Sequence, residues 1–321
     1  MKQTLILASC IAFVVGCAPA EQQPAAVAPE GPEAAGLENG SFAAKLNGFE
    51  IHYEVHGQGP VLMTLPNSWG LSFEGLRALY RPLESRLTMV YFDPRGMGES
   101  AAVVEPSDMG MAAVRADFHA LREHLGLESA NVIGWSNGAM NLIYLAAERP
   151  ETIDAAIFLH GAAKFDAEDN TRMMQQYPEI MQKYGAFLQE VQNPELTDDD
   201  RTAMMRSLWL DEWFPILVAD QEAAPAILDG VFAEAEFSWP HSDYSNKESP
   251  VFDATDQLPL ITARCLVIMG AADMIPPSKG QEMADAIADA QLEVFDNSAH
   301  FAPKEEAAKF EALVFDFLGA Q

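Results

Sequence analysis

Ser136 stands between Gly134 and Gly138 in the run NVIGWSNGAM (residues 131–140). A serine hydroxyl is a weak nucleophile at neutral pH, so its setting decides whether it can react. The apolar run before it reads as a buried strand, and GAMNLIYLAAE after it reads as a helix. Glycines on either side let the backbone close through a turn too tight for most side chains, which lifts the hydroxyl above the strand end. The helix that starts there aims amide N–H groups at the same point and favours developing negative charge. The pentapeptide alone is weak; its strand–turn–helix context points to acyl chemistry rather than to a plain turn.

Such a serine needs a base, and the base needs an orienting acid. Of the seven histidines, His52 and His56 fall in a hairpin arm and read as surface residues. His119 and His124 fall on a helix where solvation is expected, and His241 lies in a long stretch without strands. His160 ends the strand AAIFLHG at the same edge as Ser136; it is the rival base, with a structural or pocket-lining role expected. His300, in DNSAHFAPKEE, follows the last strand and precedes the last helix, and is the expected base. Asp273, in IMGAADMIPP, comes just after the penultimate strand and is the expected acid. Nucleophile, acid and base then follow in the chain order Ser136, Asp273, His300.

These residues need strand ends to sit on. FEIHYEVHG alternates and is closed by the turn GQGP. PVLMTLP, LTMVYFD, NVIGWS, AAIFLHG, CLVIMG and LEVFD are short apolar runs, as expected of strands covered on both faces. Between them, residues 72–86, 108–125 and the C-terminal segment carry apolar side chains three and four apart, the helical period. The alternation predicts an α/β fold with a mostly parallel central sheet and helices on both faces, built from residues 41–160 and 258–321. Residues 161–257 break the rhythm: they hold helical pieces rich in Met, Trp and Phe and no convincing strand. They are expected to form a helical lid insertion over the C-terminal strand edge, where open α/β sheets bind ligands.

From about residue 41 onward the chain resembles the α/β-hydrolase fold superfamily, and within it the branch that includes proline iminopeptidases. YFDPRGMGES resembles that branch's D-x-R-G-x-G-x-S loop, GWSNGA its elbow, and GAADMIPP and SAHFAPKEEAAKFEALVFDFL its acid and histidine segments. The resemblance implies a serine hydrolase. One departure is clear: where relatives carry His-Gly, often extended to Gly-Gly-Pro-Gly, this chain has PNSWG (66–70). The oxyanion donors implied are the backbone N–H of Asn137 and one from Ser68 or Trp69; Ser68 itself has no elbow around it. Dehalogenases and epoxide hydrolases of the same fold place an aspartate where this chain has Ser136.

Composition removes other functions. The 321 residues, 49% apolar, suffice for one large core, and 19 basic against 48 acidic residues give a net charge of −29. Such a surface repels polyanions, so nucleic acid is not an expected partner. RGMGES lacks the spacing of a phosphate loop, and neither H-E-x-x-H nor paired C-x-x-C occurs, so no metal and no cofactor are implied. Residues 1–16 have the layout of a lipoprotein-type signal: one lysine, then an apolar run too short to span a bilayer, ending in VVGC. Cys17 is the expected lipidation site, followed by a Pro/Ala-rich tether over 17–40. The expected location is the bacterial envelope, exported and anchored through an N-terminal lipid. Among the 3 cysteines, only Cys265 remains for the domain, so no intramolecular disulfide can form.

The expected partner is a small-molecule ester, an amide or a short peptide. An aminopeptidase must recognise a cationic amine, and candidate carboxylates beside aromatic residues are Glu212, with Trp213, and Glu234 and Glu236; Trp135 is a further candidate for substrate contact. An esterase needs only the apolar lining. The reading favours small esters, with an iminopeptidase-type aminopeptidase second and a non-catalytic small-molecule receptor on the same fold third.

Overall fold

The computed structural model describes residues 37–103, 105–248 and 252–320. The expected signal, Cys17 and most of the expected tether lie outside these residues. Leu37 packs against the core, and the first strand opens at Gly40.

Ten strands form: β1 (Gly40–Leu46), β2 (Phe49–Gly57), β3 (Val61–Leu65), β4 (Thr88–Phe92), β5 (Ala130–Trp135), β6 (Ile153–Leu159), β7 (Lys164–Phe165), β8 (Phe252–Asp253), β9 (Arg264–Gly270) and β10 (Ala290–Phe295). Eight of them make one sheet in the order β1-β2-β4-β3-β5-β6-β9-β10. β2 pairs antiparallel with β1 and with β4; every later pairing is parallel. Every residue of β3, β4 and β5 is buried, which explains their unbroken apolar runs.

Alternate strand residues feed two cores. Leu62, Tyr91, Ile133 and Ile157 pack on the face covered by α1 (Phe73–Tyr80), by α11 (Ala307–Leu318) and by the 161–257 segment. Met63, Val90, Val132 and Phe158 pack on the face covered by α2 (Met111–His124), α3 (Asn137–Glu148) and α9 (Pro277–Ala286). The helix expected over 72–86 stops at Tyr80 and continues as a 3₁₀ turn, because Pro82 cannot donate to the α ladder.

The 161–257 segment holds α4 (Ala167–Gln176), α5 (Pro178–Glu190), α6 (Asp198–Ser207), α7 (Ala224–Phe232) and α8 (Trp239–Glu248). It also contains β7 and β8, which pair antiparallel and tie its two ends together. Strands of two residues carry no periodic signal, which is why the sequence showed none. Two histidines differ from expectation. His52 is buried, its Nδ1 3.4 Å from Asp93 and its Nε2 2.9 Å from Ser41. His119 is buried with neither ring nitrogen partnered, and burial, with Arg149 and Arg122, lowers it to about 4.

The loop YFDPRGMGES works as a brace. Buried Asp93 accepts from Phe73 N at 3.0 Å and so anchors the first turn of α1. A side chain at Gly98 (φ +50°) would sit 2.0 Å from its carboxylate. Arg95 makes a bidentate pair with Asp117 of α2, both contacts 2.7 Å.

Candidate active site

Ser136 links β5 to α3 with φ +54° and ψ −118°, a conformation that side-chain-bearing residues rarely hold. A Cβ on Gly134 would lie 2.5 Å from the carbonyl of Gly138, and one on Gly138 would lie 2.5 Å from that of Leu65. Both glycines are therefore steric requirements of the turn. Ser136 N–H donates to Leu159 O at 2.8 Å, and the residue stays partly exposed.

Asp273 follows β9, and His300 follows β10 on the loop into α10 (Ala302–Glu305). His300 Nδ1 lies 2.8 Å from Asp273 Oδ2, and Asp273 Oδ1 accepts from Ile275 N at 3.1 Å. The loop is held on both sides of the histidine: Glu305 accepts from Ala299 N at 2.9 Å and from Phe301 N at 3.0 Å. Gly270 lets β9 pass beneath it, since a Cβ there would meet Ala299 O at 2.0 Å. Burial would push the Asp273 carboxyl up, but His300 and His160 together hold it well below the usual carboxylate range. It is an anion presented to imidazole. The ligating atoms of His160, Asp273 and His300 lie within 4.8 Å of one another, a spacing a metal ion could also bridge; the contacts between them account for it.

The loop after β3 distinguishes the two expected candidates, Ser68 and Trp69, by their hydrogen bonds. Asn137 Oδ1 accepts from both Ser68 N (2.8 Å) and Ser68 Oγ (3.0 Å). The Ser68 N–H is thus engaged. Asn67 Oδ1 reciprocates by accepting from Gly138 N at 2.7 Å. The two asparagines clasp the loop after β3 to the elbow. Among the described residues, the backbone N–H groups of Trp69 and Asn137 have no partner, and they are the pair left to receive an oxyanion.

A cavity of about 230 Å³ opens beside Asn137. Trp69, Met140, Tyr184, Phe187 and Trp209 give it an apolar wall, and Ser242, Ser245 and Asn246 a polar one. No charged side chain is among the described residues that line it. None of the other substrate-contact candidates reaches it. Glu212 pairs with Lys183 at 2.5 Å. Glu234 faces a separate cleft with Arg77 and Lys304. Glu236 is exposed and bonds through its backbone to Ser72. In a chain this acidic most carboxylates decorate solvated faces, and these do. Trp135 is buried beneath the site, donating its indole N–H to His300 O at 2.9 Å. Trp213 is buried behind the wall, 5.5 Å from Trp209 and 5.7 Å from Tyr184 between ring centroids.

Residues 61–307 match the family described as alpha/beta hydrolase fold. The chain belongs to that family. Among its curated relatives, a proline iminopeptidase of Clostridioides difficile (strain 630) is 25% identical over 287 residues, covering 85% of this chain and 96% of the relative. A 2-hydroxy-6-oxo-6-phenylhexa-2,4-dienoate hydrolase of Comamonas testosteroni is 27% identical over 285 residues, covering 85% and 92%. An alpha/beta fold family hydrolase from Bacillus anthracis str. Sterne superposes with a TM-score of 0.72 at 19% identity, covering 87% of this chain and 99% of its own. This alpha/beta hydrolase is an enzyme. Tyr184, Phe187 and Trp209, which wall the cavity beside Asn137, are not singled out by the sequence. One structural sign marks Trp209: it lies in a π-helical turn, Leu208–Trp213, a distortion often found at functional sites.

Proposed function

We propose that the protein is a serine hydrolase of small, uncharged esters, acting through an acyl-enzyme on Ser136. The observation that carries this reading is the uncharged lining of the cavity beside Asn137. A prolyl peptide brings an ammonium group and a dienoate brings a carboxylate, and each needs a counter-charge that this wall lacks. A neutral acyl group fits it. In this reading Ser136 Oγ attacks the carbonyl while His300 Nε2 takes its proton, Nδ1 being committed to Asp273. The alkoxide of the tetrahedral intermediate rests on the N–H groups of Asn137 and Trp69. His300 then protonates the leaving alcohol, and water, activated in the same way, releases the acid. The helical insertion acts as a lid that supplies most of the apolar wall.

The test compares p-nitrophenyl acetate and butyrate with proline p-nitroanilide, in the wild type and in Ser136→Ala, alongside fluorophosphonate labelling. Ester turnover and labelling that both vanish in Ser136→Ala are expected, with Glu212→Gln, Glu234→Gln and Glu236→Gln changing neither. Efficient anilide cleavage that falls in those Gln variants would return the aminopeptidase reading. An unlabelled wild type would favour a binding protein. Export with a lipid on Cys17 belongs to the same proposal. Among the described residues no helix is long and apolar enough to cross a membrane, so anchoring would rest on acyl chains, of which two or more hold stably. Detergent-dependent extraction of the wild type that is lost in Cys17→Ser is expected; a wild type wholly in the soluble fraction refutes it.

A further inference from the structure

His160 closes β6 with φ +53°, in the region that favours glycine, and its ring is fully buried. Besides Ser136 and the hairpin residue Asn47, no other described non-glycine residue has positive φ. A histidine held there against strain and desolvation calls for a function. Its Nδ1 lies 2.9 Å from Asp273 Oδ2, the oxygen that also meets His300 Nδ1 at 2.8 Å. The His160 contact is close but outside hydrogen-bond geometry, so it is an electrostatic contact between the ring and the carboxylate. Its Nε2 accepts from Ala302 N at 3.4 Å, which leaves the ring proton on Nδ1, towards the carboxylate. The two imidazole centroids are 5.1 Å apart.

We propose that His160 is a positioning residue that shares the Asp273 carboxylate with His300 and ties the segment just after His300 to the end of β6. This rests on the reading of Ser136, His300 and Asp273 as the catalytic set. The consequence is electrostatic as well as steric. A carboxylate that also faces the N–H of a second imidazole stabilises an imidazolium at His300 less than one that faces His300 alone. The groups facing His160 are Asp273 and His300, while Tyr177 and Glu305 act on the same carboxylate from their own elements. Burial holds His160 neutral against the pull of Asp273.

His160→Phe fills the space without the donor, whereas His160→Asn keeps an N–H at the place of Nδ1. In His160→Phe, kcat for p-nitrophenyl butyrate should fall about tenfold, and the acidic limb of kcat/KM should move up by about half to one pH unit. The direction follows because an undivided carboxylate keeps the base protonated to higher pH. His160→Asn should bring the limb back towards its wild-type position and recover most of kcat. Equal losses in both variants with an unmoved limb would reduce His160 to packing. Histidine ¹⁵N spectra of the wild type decide the matter even if the variants fail to fold. His160 should carry its proton on Nδ1 and not titrate between about pH 5 and 8, the ordinary histidine range; a proton on Nε2, or titration in that range, overturns the proposal. Failure of fluorophosphonate labelling would sink the catalytic reading instead, and the spectra would still report on the contact with Asp273.

Discussion

Ser136, His160 and Asp273 each leave a strand of the central sheet, while the cavity beside Asn137 is walled by Tyr184, Phe187 and Trp209 from the 161–257 segment. At the sheet edge, backbone and side chains are locked by contacts of 2.7–2.9 Å and by glycines that admit no Cβ. In the insertion, two of the helices, α4 and α6, begin with reciprocal capping boxes, Asp166 with Asp169 and Thr197 with Asp200. Its wall is backed by a cluster of tilted and edge-on rings, Trp69 with Trp209 and Trp209 with Trp213 and Phe214, at 5.3–5.5 Å between centroids. Apolar ring clusters tolerate exchange and repacking; the hydrogen-bonded edge does not. In the proposed reading, chemistry and substrate choice fall to structures of unequal tolerance.

The comparison breaks or holds first at Asn137. Asn137→Ala keeps its own backbone N–H but releases Ser68, and with it the loop that presents the Trp69 N–H. An oxyanion donor removed outright costs about 10²–10³ in kcat. A donor only loosened should lower kcat for p-nitrophenyl acetate by about 10–100-fold with KM little changed, as for an interaction made in the transition state. A rise in KM with kcat intact would place Asn137 with the cavity wall and erase the distinction. Trp209→Ala should give the opposite and smaller pattern. Lost apolar contact of about 1 kcal/mol raises KM for the butyrate several-fold and leaves kcat for the acetate within about twofold. Equal effects on both substrates would mean that Trp209 supports the fold rather than the acyl group.

The same inequality decided what could be read from the chain. Gly134 makes room for the backbone of Gly138 within the same turn, so the elbow is visible in a few consecutive residues, whereas Gly138 and Gly270 make room for the carbonyls of Leu65 and Ala299 from distant segments. The sheet was legible for a related reason, because β3, β4 and β5 are buried on both faces and need unbroken apolar runs. What was missed depends on residues far apart. Ser68 loses its N–H to Asn137, 69 positions away, and no local pattern encodes that. Trp135 sits beside the serine in sequence, yet its indole bonds to His300, 165 positions on, and it is not among the residues that line the cavity. Glu212 has the composition of an ammonium site and is answered by Lys183. The wall residues share the helical period of any core residue, so their place at a cavity became visible only with the fold.

The smallest expected effect concerns strain. Among the described residues the insertion has no side chain other than glycine at positive φ, whereas the sheet edge has Ser136 and His160. If the edge stores strain that the insertion does not, relieving it should stabilise the protein while ending turnover. Ser136→Ala and Ser136→Gly both remove the nucleophile, and they differ in what the backbone at φ +54° must bear. The glycine variant gains freedom in the unfolded chain, which opposes the benefit, so the net is modest. Ser136→Gly should be more stable than Ser136→Ala by about 1 kcal/mol in urea unfolding, with equal m-values. A glycine variant no more stable than the alanine variant would mean that Gly134 and Gly138 already absorb the turn. The contrast between a strained edge and a relaxed insertion would then rest on hydrogen bonding alone.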